Sequence, residues 1–158
     1  MPDLDLEQLR LQLLKQLPDQ VFWRVKDMRV AFDFRRAALP LKSISASDVA
    51  GPFNDQWMHI HVFGERSVGE GNGPRSFLGI LGSSGEVVGL DVDRDGAPPY
   101  RLNTRVNAFI DTFLAFDKGV RLTAPSTALL AAEAERIDPG TFRDSGWRRL
   151  ADYLMSRG

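Results

Sequence analysis

His59 and His61 are the only histidines in this 158-residue chain, and they stand two apart in the alternating run Trp57 to Phe63. Alternate residues of a strand share a face, so both imidazoles could meet one zinc ion. Zinc needs at least one more protein ligand. Glu65, just past Gly64, is the nearest on offer. The competing reading is a half-covered sheet surface shared with Trp57 and Phe63, and it needs no metal. A second pattern, Asp91-x-Asp93-x-Asp95-Gly96, opens like a calcium-binding loop. Calcium would need a bidentate carboxylate at the twelfth position, which is Leu102, and Pro98 stands at the eighth. The segment reads instead as a solvated turn. Ser83 and Ser84 lie between Gly82 and Gly85, without the G-x-S-x-G elbow or a helix to follow it. The three aspartates have no apolar pocket to split their pKa values for glycoside chemistry. The expectation is a protein with no catalytic residues and no cofactor, not an enzyme.

Charge says more than these motifs. Twenty Lys plus Arg face 21 Asp plus Glu, which argues against a nucleic-acid-coating protein. The layout is uneven. Residues 80–95 carry Glu86, Asp91, Asp93 and Asp95 against Arg94 alone. An acidic hairpin edge of this kind could meet a basic partner surface. It could equally be a solvated turn that guards the sheet edge. Trp57 and Tyr100 read as binding anchors or as core. Zero cysteines exclude disulfides, thiolate metal sites and cysteine nucleophiles, and fit a reducing compartment. No apolar run approaches the roughly 18 residues that span a bilayer, and the acidic Met1-Pro2-Asp3-Leu4-Asp5 start is unlike a signal peptide. The expected location is the cytoplasm, with no membrane partner.

The elements that must position these residues follow from periodicity. Leu6, Leu9, Leu13 and Leu17, widened by Leu14, predict a helix over 5–17, with Asp5 and Gln8 as a capping box and Pro18 as the stop. Val21, Trp23 and Val25 alternate with Phe22, Arg24 and Lys26 as a half-buried strand, while 28–34 is ambiguous. Residues 57–63 alternate as a strand, and the Gly-rich stretch 69–74 is a loop. Two short strands, 76–81 and 86–91, joined by Gly82-Ser83-Ser84-Gly85, make a hairpin. Pro98 and Pro99 leave 98–102 an edge strand at best. Asn103 or Thr104 is expected to cap a helix over 105–117 that buries Val106, Phe109, Ile110, Phe113 and Leu114 and ends at Gly119. Further helices are expected over 126–136 and 145–155, the last burying Trp147, Leu150 and Leu154. Strands grouped before helices, with no β-α-β rhythm, predict a single α+β domain over 1–158: a mainly antiparallel sheet, an N-terminal helix and three C-terminal helices.

Phe77-Leu78-Gly79-Ile80, Gly85-Glu86-Val87-Val88-Gly89-Leu90-Asp91, a turn with Gly96, Tyr100 and Val106-Asn107-Ala108-Phe109 resemble the core of the SUKH superfamily. Ile137-Asp138-Pro139 followed by Trp147 resembles its fourth subgroup. The likeness spans about 77–150, and the first 70 residues share only the order of elements. A small Ser-like pair usually follows the family's Asn, where this chain has Asn107-Ala108, and Asn103 competes for that position. The resemblance implies a non-catalytic α+β domain of the immunity-protein type, which binds a cognate bacterial toxin and occludes its active site. Under that implication Glu86, Asp91, Asp93 and Asp95, with Glu65 and Glu70, become the partner-binding candidates. Two alternatives stay open: an adaptor of the same fold without a toxin partner, and a metal-binding module built on His59 and His61.

Overall fold

The structure, a computed structural model, describes residues 6–34, 42–44, 60–69, 75–81, 84–91, 100–122 and 125–156. Helix α1 (Leu6–Gln16) comes first. It buries Leu13 and Leu17, leaves Leu9 and Leu14 half-covered, and turns Leu11 to solvent. Strands β1 (Gln20–Val25) and β2 (Met28–Asp33) follow as a hairpin closed by Lys26 and Asp27, so the ambiguous 28–34 segment is a strand through Asp33; Val30 and Phe32 within it and Phe34 just after it are all buried. Lys26 takes a positive φ of 54°, the one non-glycine residue among those described to do so.

Next come β3 (Lys42–Ile44), β4 (Ile60–Val68), β5 (Arg75–Leu81), β6 (Val87–Asp91) and β7 (Tyr100–Asn103). All pairings are antiparallel, in the order β1-β2-β4-β5-β6-β7, and β3 joins the β2 side of β4 further along its length. The expected hairpin is β5–β6, its turn closed by the Gly85 N–H donating to the Leu81 carbonyl at 2.8 Å, with Gly85 at φ 80°. Between Val62 and Gly64 the β4 register slips by one residue. That bulge turns Phe63 into the core, fully buried against Phe34 and Phe109.

Three helices follow: α2 (Val106–Val120), α3 (Thr127–Ile137) and α4 (Gly146–Leu154), with a 3₁₀ turn at Phe142–Asp144 before the last. Ser126 caps α3 by accepting from the Leu129 N–H at 3.1 Å. At α2 the expectation needs three corrections. The N-cap is Arg105, which makes no side-chain cap bond, because Asn103 and Thr104 bind elsewhere. The helix runs past Gly119 to Val120, and Leu114 is not in its buried stripe but 44% exposed.

One face of the sheet packs on the helices through an aromatic core. Phe113 of α2 is its hub, stacked on Trp23 at 5.2 Å and edge-on to Phe32 and Phe34 at 5.1 and 5.3 Å. Such pairs contribute about 0.5–1.5 kcal/mol each beyond the area they bury. Trp147 closes the far side on Phe109 and Phe116. The Trp23 indole donates to Asp117 at 2.9 Å, so its buried ring leaves no orphaned donor. The architecture is α+β: a mainly antiparallel sheet with one N-terminal and three C-terminal helices, as expected. No helix among the described residues is long and apolar enough to cross a membrane.

Candidate interaction surface

Asn103, at the end of β7, stands in a buried polar cluster. Its carboxamide oxygen accepts from the Trp147 indole at 2.7 Å, and its amide donates to Thr112 Oγ1 and to Asp138 Oδ2, each at 3.2 Å. Asp138, 4% exposed just beyond α3, also accepts from the Thr104 N–H and the Thr104 hydroxyl, both at 2.9 Å. Burial pushes the Asp138 carboxyl up. Hydrogen bonds from Thr104, Asn103 and Thr141 outweigh that and hold it below its ordinary value. Every member satisfies another, so the cluster is a latch joining β7, α2, α3 and α4, with no group left over for chemistry. Asp138 and Trp147 meet here on one asparagine.

A second cluster centres on Tyr100, which is 8% exposed and therefore core, not an exposed anchor. Its ring lies so close over Gly89 of β6 and Gly146 of α4 that a Cβ at either glycine would collide with it. The hydroxyl donates to Ser76 at 2.9 Å, Arg66 donates to the same Ser76 at 3.2 Å, and the Arg149 guanidinium stands 5.0 Å from the ring centroid.

The predicted acidic contacts do not form one described patch. Glu86 and Asp91 flank the β6 strand at opposite ends, about 16 Å apart at strand rise. Glu86 is ion-paired with Arg101 and accepts from the Ser84 hydroxyl. Asp91 is in register with Ser76. Glu65 is half-buried on β4, between Asp33 and Phe77 in register. Glu70, Asp93, Asp95, His59 and Trp57 lie outside the described residues, and His61 is in register with Ile80 and Ser43. Among the described residues no three His, Asp or Glu group together as metal ligands would.

The face of the sheet turned away from the helices offers a different surface. Three rows cross it in register: Arg24 with Arg29; then Phe22, Ala31 and Ser67; then Gln20, Asp33, Glu65 and Phe77. Phe22 is 66% exposed, the most exposed large apolar side chain described, and it borders a shallow groove with Arg24, Arg29 and Ser67. Two arginines in direct register repel one another, and Asp33 and Glu65 form the opposite end of the same face. Arg29, Asp33 and Glu65 each engage a further group. Over β1, β2 and β4 the surface thus carries one exposed aromatic at its centre, with arginines at one end and carboxylates at the other. That suits a protein partner better than an enclosed small molecule. Phe22 was legible as the outward residue of an alternating strand, though only the register reveals its neighbours. No protein-family model, curated protein or solved structure matches the chain.

Proposed function

We propose that this chain is an immunity protein, which binds a cognate bacterial toxin and blocks its active site by covering it. The open sheet face is the observation that carries the reading. One exposed aromatic, Phe22, between oppositely charged rows is the composition of a protein-binding hot spot with its polar rim. The SUKH-like residues supply the functional class. The Asp33–Glu65 row, which includes one of the acidic candidates read from sequence, complements the basic groove of a nuclease-type toxin. Phe22 is the anchor, and the latch at Asn103 keeps the sheet and helices behind it rigid.

The test is co-expression with the toxin-like product of the neighbouring gene, with growth rescue and co-purification as the readouts. Phe22→Ala should leave the circular dichroism unchanged and weaken co-purification by about tenfold or more, as truncation of an interface anchor does. Failure of the unaltered chain to rescue growth or retain the toxin would end the proposal. Full binding by Phe22→Ala would move the interface to another face.

A further inference from the structure

Three of the five exposed large apolar side chains among the described residues, Leu114, Leu122 and Leu129, line one groove between α2 and α3. Its floor is close-packed, since a Cβ at Gly119 would stand 2.7 Å from Leu130. Along the open stripe of α2 run Asp111, Leu114, Ala115 and Lys118, at i, i+3, i+4 and i+7. Acid and base therefore sit two turns apart, about 10 Å, on either side of an exposed leucine and a small residue. Other charges on α2 and α3 engage groups within the chain: Asp117 pairs with Arg121, Glu133 pairs with Arg136, and Glu135 accepts from the Gly140 N–H. Asp111 adds to the field at Arg136, whose guanidinium is bonded to Glu133. The side chains of Asp111 and Lys118 make no hydrogen bond or ion pair among the described residues.

We propose that this groove is where two copies of the chain meet, α2 of one lying antiparallel along α2 of the other about a twofold axis at Leu114 and Ala115. A twofold axis makes the contact reciprocal, so Asp111 of each copy comes opposite Lys118 of the other, and both pairs form together. A parallel arrangement would set Asp111 on Asp111 and Lys118 on Lys118, and the charges select against it. Leu114 closes the centre from both sides, and the small Ala115 lets the helices approach. Reading the stripe backwards inverts its charge order, which is what a self-complementary surface requires. This surface and the Phe22 face lie on different elements, so one assignment can fail without the other.

Sedimentation velocity over about micromolar to about millimolar protein tests the proposal. The expected result is a reversible approach to twice the monomer mass. Asp111→Lys and Lys118→Asp should each weaken association by about tenfold or more, because both contacts become like-charged at once. The doubly exchanged chain, D111K with K118D, should return to within about threefold of the original. Leu114→Glu should dissociate the pair by a separate route. Circular dichroism on each variant reports folding. A chain that stays monomeric throughout, an association indifferent to the single reversals, or a folded double variant no better than its parents would each overturn the proposal.

Discussion

Replacing Asp138 by Ala tests the latch most directly. The carboxylate accepts from the Thr104 N–H and hydroxyl at 2.9 Å and from the Asn103 amide at 3.2 Å. Hydrogen bonds to a charged group contribute about 1.5–3 kcal/mol each, and bonds sharing one acceptor do not add. Removal also takes an acceptor from the buried Asn103 amide, at about 1–3 kcal/mol for a buried unmatched group, while the exposed Thr104 donors turn to water. Relief from burying the charge offsets part of this. The expected loss is about 3–4 kcal/mol, large against a typical total of about 5–15. Urea unfolding followed by tryptophan fluorescence reads it well, because Trp23 and Trp147 are both buried. The pH dependence supplies the sharper check. The folded Asp138 carboxyl lies below its ordinary value, so its stabilisation is complete above the unfolded carboxyl's pKa of about 4 and is lost as pH falls through the folded value. The gap between the parent chain and the variant should be constant above about pH 5 and shrink in acid. A loss below about 1 kcal/mol, or a gap unchanged until acid unfolding, would refute the account of the latch.

Two further substitutions test local packing. Gly89→Ala pushes a methyl into the Tyr100 ring and should cost about 1–3 kcal/mol in urea unfolding; Tyr100→Ala in the same chain should remove most of that added penalty. Lys26→Gly relieves the positive φ in the β1–β2 turn, a conformation that costs an L-residue about 1–2 kcal/mol. After glycine's own entropy cost it should raise stability by about 0.5–1 kcal/mol, read as a higher melting temperature.

Much of the fold was legible because its signals are local. Leucine spacing in α1, the Gly82–Gly85 turn and the Trp147-Leu150-Leu154 stripe each specify an element within a dozen residues, and those elements stand where periodicity put them. Distance in sequence defeated the rest. Asn103 reads as a helix cap from its neighbours alone, yet its partners are Thr112, Asp138 and Trp147, the last 44 residues away. Leu114 fits the apolar stripe of α2 by spacing, but which edge of that stripe α3 covers is a tertiary matter. Glu86 and Asp91 form an acidic run along the chain, whereas an extended strand holds them apart and Arg101 of β7 neutralises one of them. The open sheet face depends on register, since Phe22, Ala31 and Ser67 become neighbours only when β1, β2 and β4 are aligned.

The bulge at Phe63 gives β4 an unusual tolerance. Removing a residue from a strand normally inverts the facing of everything on one side of the cut. Here one surplus residue already sits between Val62, in register with Gly79, and Gly64, in register with Leu78. Excision of Gly64 would let Phe63 take the place opposite Leu78 and leave every other β4 side chain on its present face. The straightened strand then depends on Phe34, because a Cβ at the place Phe63 would take stands 2.7 Å from that ring, which must move aside. Single-residue gaps elsewhere in β4 would invert the facing of one side of the strand, while a gap at Gly64 would keep the facing and displace the Phe34 ring.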